Sequence, residues 1–206
     1  MNYCWGVFVN YLAHLYFAKP TAASHFGNLL GDFQKGVNIQ ALPKPVQLGL
    51  QTHKQVDKFT DSHTITKSAK QLFSPTRRRF AGIALDVLYD HFLIKHWQQY
   101  HDTSLDDFKS QSFSLLHDNL HIMPAHMQRV VSAMTQNDWF ASYESVTGVG
   151  HALDNIAKRI RFQNQFAGSE VDIKKHYHQL ESGFQTFFPQ LVEHIRQQPI
   201  EHKRIE

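Results

Sequence analysis

The stretch Phe80-Ala-Gly-Ile-Ala-Leu-Asp86-Val-Leu-Tyr-Asp90-His91-Phe-Leu-Ile94 holds the contradiction around which this chain must fold. At about 100° per residue, Ile83, Val87, Ile94 and the following Trp97 share one face of a helix. Leu85, Leu88 and Phe92 cover the other face. A helix apolar on both sides belongs in a core. Yet Asp86 and Asp90, four residues apart, stand on one side of it. Two ionised carboxylates in a core are costly unless something positive meets them. No Lys or Arg lies between Phe80 and Ile94. A metal ion is a compact answer, and His91 beside the pair is a further ligand type.

Outward from this helix the pattern stays helical. Apolar residues recur at helical spacing, alternating β-branched runs are scarce, and short Pro, Gly or Ser breaks divide the segments. The spacing predicts helices near 10–18, 24–35, 44–62, 65–73, 76–100, 104–120, 124–136, 145–164 and 170–197. Pro43 and Pro45 start one of them, and Ser74-Pro75-Thr76 separates two others. Gly148-Val-Gly150 is expected to kink or delay the helix near 145. No linker, repeat or low-complexity segment divides the chain. The expected architecture is all-α, a single-domain helical bundle over 10–197. Residues 1–9 read as an N-terminal extension and 198–206 as a tail.

The chain has 206 residues, enough for one sizeable core, with 42% apolar and 13% aromatic residues. A net charge of +3 is mildly basic and compatible with an acidic partner. It does not indicate nucleic acid, and the aromatic interleaving of a single-strand binder is absent. Cys4 is the single cysteine, so no intrachain disulfide forms, which fits a reducing cytoplasm. The apolar start, Met1–Val9, lacks a basic leader and a cleavage site and is too short for a membrane span. No Walker loop, GxSxG elbow or GxGxxG turn occurs. Fifteen histidines are many for this length and favour a metal site.

Other ligand types fall on apolar faces too. His53 and Asp57 form a second i, i+4 pair, on the side of their helix that holds Val46 and Leu50. Asp61 continues that line. Asn28 and Asp32 share a stripe with Gly27 and Gly31; close helix packing explains the glycines but not the carboxylate. His14 lies in Tyr11-Leu-Ala-His-Leu-Tyr. Alone it reads as a hydrogen-bonded core histidine, and its company gives it weight. Imidazole and carboxylate without thiolate suit Mn²⁺, Mg²⁺, Fe²⁺ or Zn²⁺. Such a centre can lower the pKa of a bound water and direct it at phosphorus. The expected metal ligands are His14, His53, Asp57, Asp86 and His91. Asp32 and Asp90 are the expected catalytic carboxylates, although Asp90 is also read as a partner to the ligands. The Arg77-Arg78-Arg79 triplet opens a helix against its dipole. With Lys54 and Lys58 it is the expected rim for an acidic or phosphate-bearing partner.

Four motifs together resemble the acyl carrier protein phosphodiesterase family. They are Asn10-Tyr-Leu-Ala-His14-Leu, Gly27-Asn-Leu-Leu-Gly-Asp32-Phe, His53-Lys-Gln-Val-Asp57-Lys-Phe-Thr-Asp61 and Leu85-Asp-Val-Leu-Tyr-Asp90-His91-Phe-Leu. Tyr177-His-Gln-Leu-Glu181 and Phe187-Phe-Pro189 resemble its C-terminal helix. The resemblance implies an HD-domain-like metallophosphohydrolase with Mn²⁺ favoured. It implies holo acyl carrier protein as substrate, cleaved to the apo protein and 4′-phosphopantetheine. It implies that loss of Asp32 abolishes activity. The usual His-Asp dipeptide of the wider superfamily stands here in the order Asp90-His91. Two other readings are an HD-type hydrolase of a nucleotide or small phosphate ester, and a non-catalytic helical protein that binds an acidic partner.

Overall fold

Helical spacing of the apolar residues produces twelve α-helices and no strand among the described residues, 10–202 of a computed structural model. They are α1 (Tyr11–Phe17), α2 (Ala22–Leu30), α3 (Lys44–Ser62), α4 (Thr64–Gln71), α5 (Ala81–Lys95) and α6 (Trp97–Tyr100). Then come α7 (Leu105–Asp118), α8 (Ala125–Gln136), α9 (Trp139–Ser142), α10 (Val146–Arg159), α11 (Glu170–Lys175) and α12 (Tyr177–Gln197). The chain is an all-α single domain. Among the described residues no helix is long and apolar enough to cross a membrane. The segment read as an N-terminal extension lies outside the described residues.

Helix α5 is the central element its sequence requires. Leu85, Val87, Leu88, Phe92 and Leu93 are almost wholly buried in one continuous core. Around it pack α1, α4, α10 and α12. The expected helix over 76–100 is divided. Arg78–Phe80 form a 3-10 turn before α5, and His96, at φ −107° and ψ 18°, separates α5 from α6. The expected helix over 170–197 breaks in the same way at His176. Polar contacts that apolar periodicity does not register sit at the first break: His96 Nε2 and Lys95 Nζ lie 2.7 and 2.8 Å from Glu181 Oε1.

The glycines of α2 and α3 set the closest helix pairing. A Cβ on Gly27 would lie 2.3 Å from the Val46 carbonyl oxygen, and one on Gly49 would lie 2.8 Å from that of Ser24. The two backbones therefore touch where side chains normally separate them. Gly148 and Gly150 neither kink nor delay α10, contrary to expectation. They admit neighbours: a Cβ would meet the Ser142 carbonyl oxygen at 1.7 Å and Glu170 at 2.9 Å. After α12 the chain turns back, and Ile200–His202 pack on α3. Glu201 Oε1 accepts from Asn28 Nδ2 at 3.1 Å, so part of the expected tail joins the body.

Ser104 and Ser145 cap α7 and α10 through their own hydroxyls. Helix α1 has no such cap, because Asn10 adopts a left-handed φ of 62° and its side chain makes no capping bond. Asp90 of α5 supplies one from outside. Its Oδ2 accepts from the Leu12 N–H at 3.0 Å and its Oδ1 from the Ala13 N–H at 2.9 Å. These are the second and third donors of α1, the ones a cap serves. Asp90 is fully buried, and its positive partner is a helix N-terminus. This corrects the catalytic role expected for it: both oxygens are committed to the backbone of α1. Asp90→Ala should strand two buried donors and destabilise the protein by about 2–5 kcal/mol. Asp90→Asn, which keeps one acceptor, should cost about half as much. Urea unfolding measures both; a loss of turnover at an unchanged midpoint would return Asp90 to the chemistry.

Candidate metal centre

The cap on α1 fixes where His14 stands. Directly after the capped donors, its imidazole is 1% exposed and stacks on that of His53, ring centres 3.9 Å apart. His53 and Asp57 come from successive turns of α3. Asp57 Oδ2 lies 3.0 Å from His53 Nε2, and its Oδ1 lies 3.3 Å from His14 Nε2. One donor atom from each of the three falls within 4.8 Å of the others, the sole such metal-competent cluster among the described residues. The Asp57 side chain is 46% exposed, so the cluster opens to solvent on its side.

The arrangement leaves donors pointed at a shared space. Neither ring nitrogen of His14 has a hydrogen-bond partner, although both are buried; the Asp57 contact is an approach, not an aligned bond. His53 Nδ1–H donates to the Asn28 carbonyl at 2.7 Å, which leaves Nε2 turned to the cluster. Gly31 makes room for that ring: a Cβ there would lie 1.8 Å from His53 Nε2. Asp32 Oδ2 is buried and unpartnered. Two imidazoles and hard carboxylate oxygens without thiolate suit a borderline or hard divalent ion. The residues fit such an ion.

Electrostatics point the same way. Burial, reinforced by the neighbouring His53, lowers His14 to a pKa of about 4, so it is neutral and able to ligate. Burial also opposes charge on His53, but Asp57, Asp32 and the Asn28 carbonyl outweigh it and raise its pKa. Asp57 is pushed up by burial, yet its contacts with both histidines hold it well below the carboxylate range. Burial raises Asp32 to about 7, with His53 opposing and Asp57 adding to the rise. Asp86 is raised well above its usual value by burial and by Asp57, Asp61 and Asp32, against Lys70. It forms no hydrogen bond or ion pair among the described residues. Several carboxylates that repel one another around two imidazoles are what a bound cation would relieve.

Of the expected ligands, then, the fold brings His14, His53 and Asp57 together, with Asp32 next to the Gly31 that lies against the His53 ring. His91 is a correction. Its Nδ1–H donates to the Tyr143 carbonyl at 2.7 Å, and its Nε2 meets the Tyr177 hydroxyl at 2.9 Å. Both nitrogens are used, one residue round the helix from Asp90 and away from the cluster. The arginine triplet is a second correction. Arg77 donates to the Ala167 carbonyl and lies 3.5 Å from Asp172. Arg78 donates to the Phe73 and Gln71 carbonyls, and Arg79 lies 5.0 Å from the centre of the Phe162 ring. Freed backbone carbonyls and aromatic faces explain it without a phosphate. Lys54 and Lys58 are exposed but line a separate cleft with Gln51, Phe59 and His194. That stripe of α3 is turned about 100° from His53 and Asp57.

Residues that periodicity did not single out complete the surroundings. Tyr11 stands one turn before His14, with its hydroxyl buried and unpartnered. Burial raises its pKa well above 10; Asp32, Tyr143 and Asp90 raise it too, and Arg159 lowers it. Groups from four other segments therefore act on this one hydroxyl. An aromatic or a basic residue at helical spacing is ordinary in sequence, so only their convergence marks them.

The profile of the acyl carrier protein phosphodiesterase family matches residues 9–191. The acyl carrier protein phosphodiesterase of Serratia proteamaculans is 35% identical over 189 residues, 91% of this chain and 98% of that protein. That of Yersinia pestis is 34% identical over 96% of this chain and its own full length. That of Escherichia coli O6:H1 is 32% identical over 90% of this chain and 96% of its own. No solved structure matches. With its profile spanning nearly the whole fold and relatives matched almost end to end, the chain belongs to the acyl carrier protein phosphodiesterase family.

Proposed function

We propose that this protein hydrolyses the phosphodiester between 4′-phosphopantetheine and the serine of holo acyl carrier protein, using a divalent cation in an HD-like helical scaffold. The observation that carries the reading is the convergence of His14, His53 and Asp57, in a member of this family. His14 and His53 hold the ion through Nε2 and Asp57 through its carboxylate, with Mn²⁺ favoured. When bound, the ion supplies Lewis-acid stabilisation of phosphate charge and a more acidic water. Asn28 fixes the His53 ring through its carbonyl. Asp32 Oδ2, buried beside the cluster, takes the proton of the water that attacks phosphorus, and Asp86 orients that water. The bond from phosphorus to the serine oxygen breaks, and that oxygen gains a proton. Lys54 and Lys58, exposed on the stripe next to the open edge at Asp57, attract the acidic carrier protein. A carrier-protein substrate and a single cysteine support a cytoplasmic location.

Conversion of holo to apo carrier protein with Mn²⁺, followed by mass spectrometry, should show loss of the phosphopantetheine mass, and excess EDTA should stop it. His14→Ala, His53→Ala and Asp57→Ala should each lower bound metal and cut turnover by more than roughly 100-fold, the upper reach of losses for outer-shell partners. Turnover of nucleotides in place of holo carrier protein would move the assignment to the other HD-type substrate class. Asp32→Ala should abolish turnover while metal remains bound.

Gly31→Ala tests the support of the centre rather than its ligands. The methyl must displace the His53 ring, so metal affinity should fall by about 10–100-fold. Far-UV circular dichroism should stay unchanged; unchanged affinity would show that the ring does not need that space.

A further inference from the structure

A cleft of about 470 Å³ runs along α10 and takes no part in the centre described above. One stripe of α10, with His151, Ala152, Asn155 and Arg159, forms one wall, and Trp139 and Tyr143 face it. From Gly148 to Arg159 the stripe is about 16 Å long at the rise of an α-helix. Its lining alternates polar groups with apolar and aromatic surface, which suits an extended chain that carries amides between methylenes.

The cleft is tied to the helix that positions the centre: the Tyr143 carbonyl accepts from His91, and the adjacent Asp90 caps α1 just ahead of His14. Arg159 and Tyr143 both act electrostatically on the Tyr11 hydroxyl, as Asp32 does, and Tyr11 precedes His14 by one turn of α1. Arg159 is exposed and forms no ion pair among the described residues, so its guanidinium is available. Tyr143 is held in place by the bond from His91 to its carbonyl, which gives that wall a fixed position.

We propose that this cleft seats the pantetheine arm of the substrate, with Arg159 on the phosphate and the amide-bearing chain laid along α10 toward Gly148. The assignment rests on the phosphodiesterase reading. A guanidinium is the group that grips a phosphate oxygen pair. The two amides and the hydroxyl of the arm find Asn155 and His151 along the wall, and its methylenes find Ala152 and Trp139. The carrier protein itself then stays outside, beyond the open edge at Asp57.

Two exposed positions allow a test without disturbing the core. Asn155 bonds Lys158 alone, at 3.2 Å, so Asn155→Trp should fold and fill the cleft. Arg159→Gln removes the phosphate contact. Holo-to-apo conversion should show kcat/KM lowered about tenfold or more in each variant, chiefly through KM, the worth of one charge-assisted contact. Isothermal titration of 4′-phosphopantetheine should show the same weakening, with metal content and unfolding midpoint unchanged. Variants with wild-type kinetics, or a loss confined to kcat, overturn the cleft assignment alone. A wild-type enzyme that leaves holo carrier protein intact overturns the parent reading and the cleft with it.

Discussion

The paired bonds from Asp90 to the Leu12 and Ala13 N–H groups hold the rest of the site in register. Helix α1 has only seven residues, too few to be stable alone, and no cap of its own. Its direction and height are therefore set by what it docks against. A carboxylate from the buried central helix satisfies its leading donors and meets the positive end of its dipole. With that end fixed, His14 can face only one way, onto His53. The cost of burying Asp90 is offset by groups that would be unsatisfied without it. The bond thus links the core of the fold to the placement of the first ligand.

The opposite end of the same helix face shows the other solution to a buried acid. Asp86, one turn away, finds no backbone donor. It shares its space with Asp32, Asp57 and Asp61, and their mutual repulsion raises its proton affinity. A fold selected for stability alone would replace such a group. Its retention, in a chain where His14 also keeps both ring nitrogens unused, is strain of the kind that a cation relieves. Gly31 and the Asn28 carbonyl show the same priority, since each gives up ordinary packing or pairing to orient one ring.

Much of this was legible in the chain. Period and punctuation yielded an all-helical domain, and ligand types on apolar faces picked out His14, Asp32, His53, Asp57 and Asp86. The errors share a physical cause. Asp86 and Asp90 are equivalent on a helical wheel, and so the wheel assigned both to one centre. Whether such an acid meets a helix end depends on the neighbour docked against its turn. His91 and the Arg77–Arg79 triplet failed similarly: their partners are carbonyls and rings distant in sequence, or loop atoms freed by helix breaks. Gly148 and Gly150 read as helix breakers because their use, close approach to Ser142 and Glu170, is invisible along one segment.

Composition and periodicity alone determine that this chain is helical, that α5 is buried, and that imidazoles and carboxylates must be accommodated inside. Those properties are local, fixed by side-chain type and the pitch of one helix. Folding decides the rest: the cap on α1, the meeting of His14 on α1 with His53 on α3, and the cleft that ends at Arg159. Each depends on distances between segments far apart in sequence, and helix-to-helix packing is what sets those distances.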